Sequence, residues 1–166
     1  MEGFQETARS AEAPAYEHAA HPAPAREGRP GGLADVRPPR PRVAVVIPAY
    51  RAASTVADVV ARVPAGIWRI YVVDDGCPEA TGDVAAALAD PRVHVLRNPR
   101  NLGVGGAMKR GYARALRDGA GIVVKLDADG QMDPAFIPLL VAPLLAGRAD
   151  YAKGNRFAPP HRTPRG

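Results

Sequence analysis

Two aspartates, Asp127 and Asp129, follow the apolar run at residues 122–126 and stand two positions apart. Carboxylates at this spacing can offer hard oxygen ligands to a divalent cation that also holds phosphate oxygens. Gln131 adds a neutral oxygen two positions further on. The set suits Mg²⁺ or Mn²⁺. A polar turn that leads into a helix capped by Asp133 explains the same residues, so the spacing alone leaves both interpretations open.

Two further polar segments follow apolar runs. Asp74 and Asp75 come after residues 70–73, and Tyr50 ends the segment Pro48-Ala49-Tyr50 after residues 43–47. A carboxylate accepts hydrogen bonds from ring N–H and hydroxyl groups of a nucleotide, while an Asx turn into the following glycine is the structural alternative. The tyrosine ring can lie against a base or simply pack at a rim.

The elements that position these residues follow from the hydrophobic pattern. Short β-branched runs predict four buried strands, at residues 43–47, 70–73, 93–96 and 122–126. Between and after them we predict helices from Ser54 or Thr55 to Arg62, from Pro78 to Asp90, along the face from Ala107 to Leu116, and from the cap Asp133 onward. A last strand is predicted near residues 150–153.

This alternation predicts an α/β fold, a mostly parallel Rossmann-like sheet flanked by helices on both faces. In such sheets the ligand crevice lies at the carboxyl ends of the strands. The segments after the first, second and fourth strands are therefore expected to meet at one edge of the sheet.

Composition bounds the class of protein. The chain has 166 residues, 46% of them hydrophobic, and a formal net charge of +5. We expect one domain at residues 42–157, a disordered Pro/Ala/Gly-rich tail at 1–41 and a flexible tail at 158–166. The basic residues are mostly scattered arginines without an aromatic platform, which argues against nucleic-acid binding.

The expected location is the cytoplasm. Cys77 is the single cysteine, so no internal disulfide is possible. The first residues lack the order of a secretory signal, and the most apolar stretch, residues 136–146, falls short of the roughly 20 residues that span a bilayer. No transmembrane segment is therefore predicted. A cytoplasmic protein of this kind can still act at the inner face of the membrane.

Five motifs in order resemble the family-2 glycosyltransferases of GT-A fold. The last two look especially like the polyprenyl-phosphate sugar transferase branch, and the resemblance spans residues 42–157. The motifs are Val43 to Tyr50 (VAVVIPAY), Val72 to Gly76 (VVDDG), Asn101 to Ala107 (NLGVGGA), Asp127 to Gln131 (DADGQ) with Asp133-Pro134, and Gly154 to Phe157 (GNRF).

The resemblance implies a donor site. Its substrate-binding residues would be Pro48, Ala49, Tyr50 and Asp75 at the base and ribose, Asp127 and Ala128 beside the ribose and diphosphate, and Arg156 at a leaving or acceptor phosphate. Asp129, Gln131 and Asp127 would hold the Mg²⁺ or Mn²⁺. The donor would be a UDP- or GDP-linked sugar and the acceptor a polyprenyl phosphate, with inversion at the sugar.

The departures from the family leave alternatives open. Arg51-Ala52 stands where the family often has Asn-Glu, so the base is undetermined. The family's enzymes continue into an acceptor-side half that supplies the catalytic base, for which this chain offers no candidate. We therefore expect the donor-binding half of a transferase, with a non-catalytic nucleotide-sugar-binding remnant as the alternative. A haloacid-dehalogenase-type phosphatase with Asp127 as nucleophile is the less favoured third interpretation, because its motif belongs on the first strand.

Overall fold

A four-stranded parallel sheet forms the centre of this computed structural model, which describes residues 40–154. Its strand order is β3-β2-β1-β4. The strands are β1 Val43–Ala49, β2 Arg69–Asp74, β3 Val93–Arg97 and β4 Ile122–Lys125. The helices are α1 Val56–Ala61, α2 Thr81–Ala86, α3 Gly103–Arg117 and α4 Ile137–Leu145, the last preceded by a 3₁₀ turn at Pro134–Phe136. The predicted α/β class and all four strands are confirmed.

Helices cover both faces of the sheet. Side chains on β1 alternate: Val45 and Ile47 pack with α1, α2 and α4 on one face, and Ala44 and Val46 pack with α3 on the other. This period of two explains the unbroken apolar run, since a strand buried on both faces has no polar side. Helix α3 approaches the sheet closely at Gly111, where a side chain would overlap Val46.

The register sets which loops are neighbours. Ala49 at the end of β1 pairs with Asp74 at the end of β2, and Val46 pairs with Lys125 at the end of β4. The connections that leave these three strands therefore emerge on one edge of the sheet, as predicted.

The first helix starts after Thr55 as predicted, but its predicted cap and the predicted start of the second helix need correction. Thr55 occupies the position before α1, but its side chain makes no capping hydrogen bond. The second helix does not begin at Pro78 or reach Asp90, because Ala80 adopts a left-handed backbone (φ 54°) and delays the first turn to Thr81. No residue pattern around Ala80 indicates this conformation, which alanine rarely adopts.

The end of the described chain differs in part from prediction. Asp133 accepts a hydrogen bond from the Ala135 amide, 3.0 Å away, and so caps the next turn as predicted. The strand predicted at residues 150–153 is wrong: these residues are irregular in the structure and pair with no strand. The predicted apolar face of α3 is also too wide, because Leu116 is 63% exposed.

Three predictions concern residues outside the described range. They are the tail at 1–41 apart from its last two residues, the tail at 158–166, and the phosphate contact of Arg156. Within residues 40–154, no helix is both long and apolar enough to cross a membrane.

Candidate functional site

A cleft of about 500 Å³ opens where the strand order reverses. The chain proceeds from β1 outward to β2 and β3, and then returns to place β4 on the other side of β1. Open α/β sheets bind ligands at this switch point because the loops on the two sides diverge and leave a crevice. The residues that line the cleft are Pro48, Ala49, Tyr50, Arg51, Ala52, Ser54, Thr55, Asp75, Asn101, Gly103, Val104, Ala107, Asp127, Ala128 and Asp129.

Most of the predicted site residues meet in this cleft. The structure brings together predicted residues from the ends of the first, second and fourth strands. They are Pro48, Ala49, Tyr50, Asp75, Asp127, Ala128 and Asp129. Gln131 does not line the cleft; instead its backbone N–H donates to Asp129 Oδ1 over 3.0 Å. Its role as a metal ligand stays a prediction.

Two carboxylates define the β4 side of the cleft. Asp129 is exposed, and Asp127 Oδ1 lies 2.7 Å from the Lys125 ammonium. Among residues 40–154 no three His, Cys, Asp or Glu side chains gather as a metal cage. The pair nevertheless fits Mg²⁺ or Mn²⁺, because Mg²⁺ is commonly bound through one or two carboxylates together with substrate phosphates and water.

A hydrogen bond fixes the loop between these carboxylates. Thr55 Oγ1 donates to the carbonyl oxygen of Ala128 over 2.6 Å. Ala128 is buried, so its carbonyl depends on this partner rather than on bulk water. The sequence suggested Thr55 only as a helix cap, and nothing in the local pattern indicated a contact 73 positions along the chain.

Asp75 lies buried on the β2 side of the cleft. Its Oδ1 accepts from Asn98 Nδ2 at 2.5 Å and from the Leu102 backbone N–H at 3.0 Å. Arg110 in turn donates to Asn98 Oδ1 over 2.7 Å. These bonds hold the β3–α3 connection against the cleft, so Asp75 braces the site as well as lining it. A carboxylate has about four acceptor positions, and Oδ2 shares only the Leu102 N–H, at 3.1 Å.

The neighbouring Asp74 has a structural role. Its two oxygens accept from the backbone N–H groups of Cys77, at 2.8 Å, and Gly82, at 3.0 Å. The first bond spans three residues, so Asp74 does not form the predicted Asx turn, which bonds the backbone two residues on. The second satisfies an otherwise free amide in the first turn of α2. Gly82 has no room for a side chain beside this carboxylate. The sequence could not separate the roles of Asp74 and Asp75, because both follow the same strand.

Tyr50 and Arg51 form the rim at the end of β1. The guanidinium carbon of Arg51 lies 5.6 Å from the centroid of the Tyr50 ring. The Arg51 backbone N–H donates to Cys77 Sγ over 3.1 Å. Burial raises the pKa of the Cys77 thiol, but hydrogen bonds from Thr81 and from backbone N–H groups, including that of Arg51, outweigh it and lower this pKa below its ordinary value.

The first turn of α3 closes the cleft on the side of the β3–α3 connection. Gly103, Val104 and Ala107 line the cleft, and no acidic residue stands in this turn. The free N–H groups and the positive end of the helix dipole favour an anion here. The cleft thus combines carboxylates, an aromatic rim and anion-attracting amides, the combination that a metal-bound nucleoside diphosphate requires.

This fold and cleft define a nucleotide-binding α/β protein with a carboxylate pair suited to a divalent metal. The family model described as glycosyl transferase family 2 matches residues 44–165. The chain therefore belongs to glycosyl transferase family 2. The match rules against the phosphatase interpretation and confirms the resemblance drawn from the five motifs.

Two curated relatives share substantial identity with the chain. The polyprenol monophosphomannose synthase of Mycolicibacterium smegmatis is 40% identical over 131 residues, covering 76% of this chain and 49% of the relative. The undecaprenyl-phosphate mannosyltransferase of Micrococcus luteus is 34% identical over 122 residues, covering 71% of this chain and 49% of the relative. The chain thus spans about half the length of these relatives. The predicted likeness to the polyprenyl-phosphate branch is confirmed.

Solved structures share the fold. Glucosyl-3-phosphoglycerate synthase of Mycobacterium tuberculosis, crystallised with Mn²⁺, UDP and glucosyl-3-phosphoglycerate, superposes with a TM-score of 0.53 at 27% identity. The match covers 63% of this chain and 40% of that one. A second structure, described as a mycobacterial protein, has a TM-score of 0.55 at 28% identity, with 64% and 38% coverage.

Proposed function

We propose that this chain is the donor-binding half of a metal-dependent inverting glycosyltransferase. The observation that carries the proposal is the cleft at the switch point, which joins Asp127 and Asp129 on one side of β1 to Asp75 on the other. Family membership supplies the reaction class, and the solved relative with Mn²⁺ and UDP supports a nucleoside diphosphate as donor.

Each side of the cleft has a distinct role in this proposal. The β2 side binds the base and ribose through Asp75, Tyr50 and the Pro48-Ala49 backbone. The β4 side binds the diphosphate through the metal ligands Asp129 and Asp127, with Ala128 beside the ribose and Gln131 as a further ligand. The metal, Mg²⁺ or Mn²⁺, neutralises charge that develops on the leaving diphosphate.

The acceptor we propose is a polyprenyl phosphate at the inner face of the membrane. Both curated relatives carry such lipid carriers in their names. Arg156 is the residue we propose to contact the leaving or acceptor phosphate, because a guanidinium binds phosphate oxygens in a bidentate geometry.

The catalytic base is absent from the described part of the cleft. An inverting transfer needs a base that takes the acceptor proton, separate from the metal ligands. The only carboxylates among the cleft-lining residues are Asp75, Asp127 and Asp129, which already brace the site or face the metal. This observation favours a second candidate, a nucleotide-sugar-binding module without transfer activity.

Donor binding is tested by thermal unfolding with Mn²⁺ and each of UDP-glucose, UDP-N-acetylglucosamine and GDP-mannose. A ligand at about 100 times its Kd stabilises the folded state by about 2.7 kcal/mol. Asp129→Asn should abolish the metal-dependent part of this shift without lowering the melting temperature of the free protein. Asp150→Asn, an exposed position outside the cleft, is the matched control.

The outcomes separate the candidates. No stabilisation by any donor with Mn²⁺ would overturn the proposal as a whole. Stabilisation accompanied by sugar transfer to a short-chain polyprenyl phosphate supports the transferase. Stabilisation without transfer or donor hydrolysis supports the binding module.

A further inference from the structure

We propose that Arg51 selects the base of the donor and favours guanine over uracil. The inference rests on the proposed function, because it concerns the base end of the same cleft. It starts from a residue that the family resemblance identified only as a departure, an arginine directly after Tyr50.

The backbone of Arg51 is held in an uncommon conformation. Its φ of 53° lies in the left-handed region, which is unfavourable for a non-glycine residue. Two hydrogen bonds tie this segment to the β2–α2 connection and the start of α2: the Arg51 N–H donates to Cys77 Sγ, and the Ala52 N–H donates to Thr81 Oγ1 at 3.2 Å. Arg51 is therefore anchored on the β2 side of the cleft, the side of Asp75.

The side chain of Arg51 has donors to spare. It lines the cleft and lies over the Tyr50 ring. No ion pair joins it to a carboxylate within residues 40–154. A guanidinium carries five N–H donors in a planar fork and no acceptor. A ligand group that binds this guanidinium must therefore present hydrogen-bond acceptors. Two acceptors in the guanidinium plane make the best match.

The chemistry of the bases distinguishes them at this position. Guanine presents two adjacent acceptors, O6 and N7, which arginine binds in a bidentate manner, and its N1–H and N2–H donors lie beyond O6. Asp75 Oδ2 retains an acceptor position for one such donor. Uracil also offers an N–H to Asp75, but its acceptors are separate carbonyls that a guanidinium contacts singly. The pair Arg51 and Asp75 therefore matches guanine better.

The competing role for Arg51 is a contact with the diphosphate. The position of its backbone argues against this, because the carboxylates proposed for the metal lie across β1, on the β4 side. The two roles also differ in their consequence. A contact with the diphosphate strengthens the binding of GDP and UDP equally, whereas a contact with the nucleobase changes the ratio of their affinities.

The experiment measures GDP and UDP affinities by calorimetry with Mn²⁺ present. We expect the unmodified chain to bind GDP about tenfold more tightly than UDP. Arg51→Gly should bring the ratio close to one, mainly by weakening GDP, and glycine accepts the left-handed backbone so that folding is preserved. Arg51→Lys should lose most of the preference, since an ammonium cannot form the bidentate pair.

Arg117→Ala, an exposed position at the far end of α3, is the control and should leave both affinities unchanged. A preference for UDP, a GDP:UDP ratio that survives Arg51→Gly, or an equal loss for both nucleotides overturns the assignment of Arg51 while leaving the proposed function standing. Absence of binding by either nucleotide removes the proposed function and this inference together.

Discussion

Thr55 Oγ1 donates a 2.6 Å hydrogen bond to the carbonyl oxygen of Ala128. The bond joins the β1–α1 loop to the loop that carries Asp127 and Asp129, two segments that contact opposite parts of the proposed donor. It therefore couples the part of the cleft proposed to bind the nucleobase to the part proposed to bind the metal. Ala128 is buried and the bond is partly buried, so losing the Thr55 hydroxyl deprives this carbonyl of its protein donor.

Thr55→Val tests this coupling, because valine keeps the shape and removes the hydroxyl. We expect a loss of about 1–2 kcal/mol in the free energy of unfolding, the cost of one unsatisfied buried acceptor. Mn²⁺ binding should weaken as well, since the loop between the two carboxylates loses its anchor. Urea unfolding and calorimetry measure the two effects. Thr55→Ser retains the donor and should restore both, and equal behaviour of the valine and serine variants would contradict the role of the hydroxyl.

Lys125 places a positive charge 2.7 Å from Asp127 Oδ1, where a metal ion would compete with it. Lys125→Met keeps most of the apolar stem and removes the charge. We expect the nucleotide-free protein to bind Mn²⁺ about threefold more tightly, in line with the modest strength of exposed ion pairs. Titration with Mn²⁺ followed by electron paramagnetic resonance measures this. Lys109→Met, exposed and outside the cleft, is the control, and weaker binding in Lys125→Met would instead show that lysine orients the carboxylate.

Gly111 is expected to be the least tolerant glycine of α3. An added methyl group would overlap Val46 and lie 3.2 Å from Val73 Cγ2, so Gly111→Ala should destabilise by about 1–3 kcal/mol through overpacking. Gly105→Ala, in the same helix with open space around it, should stabilise by about 0.5–1 kcal/mol. Chemical unfolding of both variants tests the difference in sign. Similar changes in the two would argue against close packing of α3 on the sheet.

His94 should make stability depend on pH. Burial, followed by the positive charges of Arg69 and Arg114, lowers the pKa of His94 below its ordinary value, against a smaller opposing effect of Asp118. The folded state then binds fewer protons than the unfolded state. His94 thus contributes stability that is present above the unfolded pKa of about 6.5 and is lost as pH falls toward the folded value.

His94→Gln removes this titration. Between about pH 7 and 5 the melting temperature of the unmodified chain should fall more steeply than that of the variant. His94 also stacks on Tyr71, with ring centroids 5.6 Å apart. Because the variant loses this contact, its melting temperature at neutral pH should be lower than that of the unmodified chain. The test is therefore the slope, and parallel slopes would contradict the lowered pKa.

Much of the fold was predictable because it is encoded locally. Each β-branched run became a strand, since a strand buried on both faces needs an unbroken apolar run. Asp133 capped the turn that follows it because capping involves neighbours in the chain. Two predictions proved wrong: the helix start at Pro78 failed because Ala80 adopts a left-handed backbone, and residues 150–153 pair with no strand.

The sequence by itself determined the parallel α/β class, the family, and which strand ends carry the polar residues of the site. Only the tertiary structure decided what those residues do. It assigned Asp74 to the start of α2 and Asp75 to the cleft, turned Thr55 from a cap into a tie to Ala128, and set Arg51 beside Cys77. The reason is physical: a side chain hydrogen-bonds to whatever the fold brings within about 3 Å, and that partner can lie anywhere in the chain.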